Sequence, residues 1–334
     1  MTSGAVLGGG TFITGGAGYC GSALVPRLLA AGQRVTVYGS LGGGRSVLPA
    51  DGARLTVIAG DIREIDRLAA AMAGHDTVIN LAAISDDGSV DHDPERAEAV
   101  IVGAFEPMVA AAKTAGIRRF VHASTSSVYG LSEQPRVAED HPLCPVTRYN
   151  AMKARSEALL WPHCDDAFTG VIFRPAAACG YAPRMRWSIA VNLLTRHALA
   201  RGRITVLGGA QTRPLVHVED YCDAVMTLAT APAHRVQKQV FNVGAEILSV
   251  MEIAERIKAV VDAESGRTDP VIIETVPSDD IRSYRLTSEK IERILGFRPR
   301  LTVRDAIGSL VSAWRRGCLA DVASAASKAS TTPS

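Results

Sequence analysis

Short runs of apolar, largely β-branched residues alternate with longer amphipathic stretches through the first two-thirds of the chain. The runs at 11–14, 34–38, 55–59, 77–81, 120–123 and 171–174 have strand length. The stretches at 22–31, 62–72, 94–115 and 149–161 carry apolar residues at helical spacing. Hydrophobic strands alternating with helices predict an α/β fold, a doubly wound parallel sheet covered on both faces. After residue 174 the alternation breaks. Strand-like segments at 204–207, 215–218 and 239–243 then mix with helical ones at 218–229, 250–261, 288–295 and 303–315. This predicts one domain from 1–174 plus about 218–243, and a smaller C-terminal lobe from 175–217 plus about 244–318. The tail 319–334 is rich in Ala, Ser and Thr and reads as disordered.

Composition narrows the function classes. Over 334 residues, 36 Lys+Arg against 34 Asp+Glu leave a net charge of +2. That charge offers no electrostatic footprint for nucleic acid or an anionic membrane. The six cysteines, at 20, 144, 164, 179, 222 and 318, form no CxxC pair, and the eight histidines show no ligand spacing. The expectation is a cytoplasmic protein with reduced thiols and no metal. The uncharged first 26 residues contain eight glycines and no basic leader, unlike a signal or membrane segment.

Three groups of residues carry chemistry. Gly15, Gly18 and Gly21 follow the first strand and open the first helix. Glycines so spaced allow a tight turn, close approach to a pyrophosphate and close helix–strand packing, with the helix N-terminus facing the phosphates. The second strand ends at Gly39 and Ser40, where a carboxylate would select NAD by binding the adenosine ribose; Arg45 follows. This admits NADP without excluding NAD. Asp61, before Ile62, reads either as a group beside the adenine or, with Glu64, as a helix cap.

The second group is Tyr149 and Lys153, four residues apart on one helix face after a Thr147 cap. A neighbouring ammonium favours the phenolate and so predicts a lowered Tyr149 pKa suited to acid/base work. The third is the hydroxyl-rich Ser124-Thr125-Ser126-Ser127 at the carboxyl end of a predicted strand, where doubly wound sheets bind ligands.

Together with Leu81-Ala82-Ala83, Val128-Tyr129-Gly130, Arg213-Pro214-Leu215 and Phe241-Asn242-Val243-Gly244, these motifs resemble an extended short-chain dehydrogenase/reductase of the nucleotide-sugar epimerase/dehydratase branch. The resemblance spans about residues 10–316 and implies a Rossmann domain. It places the catalytic roles on Thr125, Tyr149 and Lys153. It implies cofactor contacts from Gly15, Gly18, Tyr19, Cys20, Gly21, Ser40, Arg45, Asp61, Ile62, Leu81, Ala82, Ala83 and Pro175, with Tyr149 and Lys153 contributing. Ser126, Arg186, Asn192, Arg213 and Arg282 fall at substrate positions, the arginines toward a diphosphate. The chain departs from the family at Val100, where an Asn is usual, at Met152 and at Ala177. Ser126 and Ser127 occupy the positions of the Asp-Glu pair of 4,6-dehydratases. The implied activity is epimerisation of a nucleotide-diphosphate sugar through a transient ketone, with NAD or NADP weakly discriminated. An NADPH-dependent ketoreductase and a non-catalytic dinucleotide sensor are the alternatives. Helices 94–115 and 149–161 imply a homodimer with a four-helix interface.

Overall fold

A computed structural model describes residues 9–42, 44–50, 52–85, 87–278 and 283–319. The first half alternates as the periodicity requires. β1 (Thr11–Thr14), α1 (Tyr19–Ala30), β2 (Val35–Gly39), β3 (Leu55–Ala59), α2 (Ile65–Met72) and β4 (Thr77–Asn80) lead into α3 (Asp87–His92), α4 (Pro94–Glu98) and α5 (Phe105–Thr114). β5 (Arg119–Ala123), α6 (Arg148–Ala158) and β6 (Thr169–Pro175) follow. The second half runs β7 (Ala177–Cys179), α7 (Ala190–Arg201), β8 (Arg203–Leu207), β9 (Thr212–His217), α8 (Val218–Thr230) and α9 (Ala233–Val236). It ends with β10 (Gln239–Val243), β11 (Glu246–Ser249), α10 (Val250–Glu264), β12 (Ile272–Val276), α11 (Glu289–Leu295) and α12 (Val303–Arg315).

Seven strands form one sheet in the order β10-β6-β5-β4-β1-β2-β3, with every pairing parallel. The register is tight: Thr11 lies opposite Val35 on one side and Thr77 on the other. Successive strand residues point to opposite faces, so β1 feeds two cores. Ile13 packs with Leu24, Val25, Leu28 and Val225 beneath α1 and α8. Phe12 packs with Tyr38, Met72, Phe105 and Phe120 on the other face. The strand order reverses between β1 and β4, so a crevice opens above their carboxyl ends. The remaining strands make a three-stranded sheet, β11-β9-β7, and a parallel pair, β12-β8. A separate core of Leu194, Ile204, Ile257, Val261 and Ile307 supports them.

Three expectations are revised. The stretch 94–115 is not one α-helix: between α4 and α5 the chain widens into a π turn over Ala99–Gly103, where the Ala104 N–H donates to the Ala99 carbonyl at 2.9 Å. In a continuous helix the ring of Pro107 would press on the Gly103 carbonyl, and the wider turn relieves that clash. The helix expected from 62 begins at Ile65 after Glu64; the Asp61 N–H donates to Glu64 Oε2 at 3.4 Å, while the Asp61 carboxylate is held by Arg63 and does not cap the helix. At the other end Leu319, assigned from sequence to the tail, is buried against Ala313. No helix among the described residues is long and apolar enough to cross a membrane.

One buried ion pair ties β5, β6 and α6 together under the crevice. Arg174, 5% exposed, donates through Nη2 to Glu157 Oε2 at 2.6 Å and through Nε to both carboxylate oxygens; Glu157 is 4% exposed. Glu157 also accepts from Ser124, and Arg174 Nη1 donates to the Tyr129 hydroxyl at 2.8 Å. Removing one partner strands a buried charge. Arg174→Met is therefore expected to lower unfolding free energy by about 3–5 kcal/mol. The double variant with Glu157→Leu should lose less than Arg174→Met alone. Denaturant titration of the two proteins checks this.

Candidate active site

The crevice is a cleft of about 1120 Å³, larger than the usual room for one small ligand. Its floor comes from the carboxyl ends of β1, β2, β4, β5 and β6, and its far wall from the loop after β7, from α7 and from β9. The glycine-rich turn shows why it can hold a dinucleotide. Gly15 has φ of +73°, and a Cβ there would stand 2.8 Å from the Ala82 nitrogen. A Cβ on Gly21 would stand 2.5 Å from the Gly16 carbonyl oxygen. No larger residue fits either place. α1 is preceded by Gly18 with no side-chain cap, so the first-turn N–H groups are open to a phosphate. The donor set and the close backbone fit a pyrophosphate.

Most of the cofactor residues expected from sequence line this cleft: Gly15, Gly18, Tyr19, Cys20, Gly21, Ser40, Asp61, Ile62, Leu81, Ala82, Ala83 and Pro175. Arg45 is placed differently. It lies in a short 3₁₀ turn, outside the cleft wall, and its Nη1 donates to the Pro49 carbonyl at 2.7 Å. Asp61 accepts from Arg63 Nε at 3.0 Å and Nη2 at 2.6 Å, a pairing that holds its carboxyl below the usual range.

Thr125, Tyr149 and Lys153 share the cleft. Thr125 Oγ1 accepts from the Ser127 N–H at 3.2 Å and so caps the turn Ser126–Tyr129 that follows β5. α6 starts as the sequence suggests, with Thr147 Oγ1 accepting from the Asn150 N–H at 3.3 Å. Lys153 is 3% exposed, and its Nζ donates to the Ala123 carbonyl at 2.5 Å. Behind it stands His122, fully enclosed, with Nε2 3.5 Å from Nζ and 3.1 Å from Ser156 Oγ. Burial pulls the Lys153 pKa down to about 8, while Glu157 opposes the shift. Burial pushes the Tyr149 phenol up to about 12, against the pull of Arg186. The lowered phenol pKa expected from the Tyr–Lys spacing is thus not present in the protein alone. Loss of water around the hydroxyl outweighs the pull of Arg186.

The substrate candidates separate into three groups. Arg186 and Arg213 line the cleft. Arg186 Nη2 donates to the Ser85 carbonyl and its Nε to Ser188 Oγ at 3.1 Å. Ser126 and Asn192 stand behind the wall: Ser126 Oγ is 2.7 Å from the Tyr284 hydroxyl, and Asn192 is fully buried. Arg282 lies outside the described residues. Tyr284 and Tyr221 also line the cleft, and sequence reasoning missed both. Tyr284 sits two residues after the chosen Arg282, and its link to Ser126 spans 158 residues, beyond any local signal. The thiols are divided: Cys164, Cys179 and Cys222 are buried, Cys20 half-buried, Cys144 and Cys318 exposed. Burial pushes Cys20 and Cys179 up to about 12. Among the described residues no three His, Cys, Asp or Glu side chains gather as a metal site.

Comparison with known proteins agrees with this geometry. Residues 11–244 match the profile of the NAD dependent epimerase/dehydratase family. The chain is 32% identical over 319 residues to a UDP-glucose 4-epimerase of Mycolicibacterium smegmatis, covering 91% of this chain and 98% of the relative. It is also 32% identical to a dTDP-glucose 4,6-dehydratase of an Actinoplanes species, with 91% and 97% covered. Among solved structures, DesIV, a dTDP-glucose 4,6-dehydratase of Streptomyces venezuelae with NAD bound, superposes with a TM-score of 0.81 at 27% identity. That match covers 92% of this chain and 97% of DesIV. With the glycine-rich turn, the tyrosine–lysine pair and the match over most of its length in agreement, the chain belongs to the NAD-dependent epimerase/dehydratase family.

Proposed function

We propose that the protein is an NAD-dependent epimerase acting on the sugar ring of a nucleotide-diphosphate sugar through a transient ketone. The observation that carries this reading is the cleft itself: the glycine-rich turn, the Thr125–Tyr149–Lys153 group and the arginines Arg186 and Arg213 line one continuous space. Relatives of both epimerase and dehydratase type match over 91% of the chain. Ser126 and Ser127 occupy the positions of the dehydratase acid pair, which favours the epimerase.

NAD, when bound, would supply the hydride acceptor and returning donor, and its oxidised nicotinamide ring carries a positive charge. The chain's own residues handle the proton and the orientation. A phenol held up at about 12 keeps its proton at neutral pH, so Tyr149 rests as an acid. It becomes a base only where added positive charge stabilises the phenolate. It then takes the proton of the ring hydroxyl and later returns it to the ketone oxygen from the same position. Lys153, cationic below about pH 8, supports that phenolate and can reach cofactor ribose hydroxyls. The Thr125 hydroxyl donates to the substrate oxygen as charge develops on it. Arg186 and Arg213 hold the diphosphate, leaving the sugar free to present its other face.

A second reading, an NADPH-dependent ketoreductase, is favoured by the lack of a carboxylate at Gly39 and Ser40. The two differ in stoichiometry. Epimerisation leaves the cofactor unchanged after each turnover, whereas a ketoreductase consumes one NADPH per product. Incubation with UDP-glucose and dTDP-glucose, followed by proton NMR of the sugar and absorbance at 340 nm, is expected to give an epimer with no net cofactor change. Tyr149→Phe is expected to lower that turnover by about 10²-fold or more while leaving NAD binding within about threefold.

Discrimination between NAD and NADP is proposed to be weak, since no acid at the end of β2 repels a 2′-phosphate. Calorimetric titration should find both binding within about tenfold, a difference of ~1.4 kcal/mol. If Arg45 leaves Pro49 to meet the phosphate, Arg45→Ala weakens NADP more than NAD; equal losses make it a loop residue only. Strong NAD selectivity of the unaltered protein would count against the proposal. A homodimer paired through the α4–α5 and α6 faces is part of the same reading. Light scattering at micromolar concentration should return twice the chain mass.

A further inference from the structure

The loop between β7 and α7 carries Arg184 and Arg186 into the cleft wall. It is tied to the glycine-rich turn by contacts that the proton chemistry does not use. Tyr19 is the first residue of α1 and only 8% exposed. Its hydroxyl donates to the Gly180 carbonyl at 2.7 Å and accepts from Asn192 Nδ2 at 3.3 Å. Asn192 completes the knot: its Oδ1 accepts from the Gly180 N–H at 3.0 Å, and its Nδ2 donates to the Arg186 carbonyl at 3.0 Å. One turn along α1, Ser22 Oγ accepts from the Arg184 N–H at 3.1 Å. The Tyr19 and Ser22 bonds cross from the cofactor side of the cleft to the substrate side, and the Asn192 bonds to Gly180 and Arg186 tie the substrate side together.

We propose that Tyr19 and Asn192 are positioning residues that couple occupancy of the glycine-rich turn to the placement of Arg186. The backbone N–H of Tyr19 belongs to the open first turn of α1, where a pyrophosphate is held. A filled turn fixes the Tyr19 backbone. The tyrosine side chain has two torsions, so a fixed backbone fixes its hydroxyl and with it Gly180. Asn192 then transmits the constraint to the backbone of Arg186. Burial drives the Tyr19 phenol well above its ordinary range, so the hydroxyl stays a donor. Phenylalanine would fill the same space without making either contact, which isolates the oxygen as the coupling atom. By linkage the effect is reciprocal: a ligand held by Arg186 strengthens cofactor binding by the factor that the cofactor strengthens its own.

The role given to Arg186 rests on the nucleotide-sugar reading, but the decisive measurement needs no substrate. Hydrogen–deuterium exchange of the full-length protein, with and without NAD, reads the amides of residues 181–193. In the unaltered protein, NAD is expected to slow exchange there about fivefold or more, the low end of ordinary allosteric coupling. At a NAD concentration that saturates each variant, Tyr19→Phe should lose that protection, and Asn192→Ala should lose it likewise. UDP titrated onto NAD-loaded protein should bind Tyr19→Phe about fivefold more weakly. Failure of UDP to bind the unaltered protein counts against the substrate reading alone, and the exchange data still decide the coupling. Protection that survives in Tyr19→Phe, or that NAD never induces in the unaltered protein, overturns the inference.

Discussion

The cleft depends on how closely two backbones approach at the sheet's reversal point. Gly15 stands so near the segment after β4 that a Cβ would sit 2.8 Å from the Ala82 nitrogen, and Gly21 is pressed as closely on Gly16. These contacts let α1 begin directly above β1, with its uncapped N-terminus aimed into the crevice. Everything else is arranged around that origin. β5 brings Ser124 and Thr125 to the same edge, α6 lowers Lys153 onto the Ala123 carbonyl, and the loop after β7 closes the far wall.

Glu157 links stability and chemistry at this edge. It lies one turn beyond Lys153 on α6, is held by Arg174 and Ser124, and is also the charge that opposes the loss of the Lys153 proton. A buried cation with no such neighbour would neutralise more readily. The ion pair that joins α6 to β6 therefore also sets part of the electrostatic background of Lys153. Neither function can be altered independently of the other.

What the sequence discloses here follows from the range of each interaction. β1 and β3 emerge at the bounds their apolar runs predict, because strand burial is a local pattern. The Thr147 cap and the Tyr149–Lys153 spacing are equally local. The π turn at Ala99–Gly103 escapes a periodicity argument, since one additional residue per turn barely disturbs the apolar stripe. Asn192 is read as a cleft residue because polar side chains beside an arginine loop suggest a ligand, whereas its partners Tyr19 and Gly180 lie 173 and 12 residues away. The Tyr149 pKa fails for a related reason. Four residues of spacing reveal Lys153, but not the burial that raises the phenol, and the cation that pulls the phenol down is Arg186, 37 residues away.

The division of the cysteines has a practical side. Thiolate is the reactive form toward alkylating reagents and oxidants, and Cys20, which shares the cleft with Tyr149, is held protonated by burial, as are Cys179 and Cys222. Cys144 and Cys318 are open to solvent. Cys144 lies beside Gly130, at the end of the hydroxyl-bearing turn, whereas Cys318 follows α12 on the second lobe. Maleimide dyes would thus attach at one site on each half of the molecule and spare the interior thiols. The native chain already carries two thiol handles for measuring the distance between the segment beside Gly130 and the end of α12.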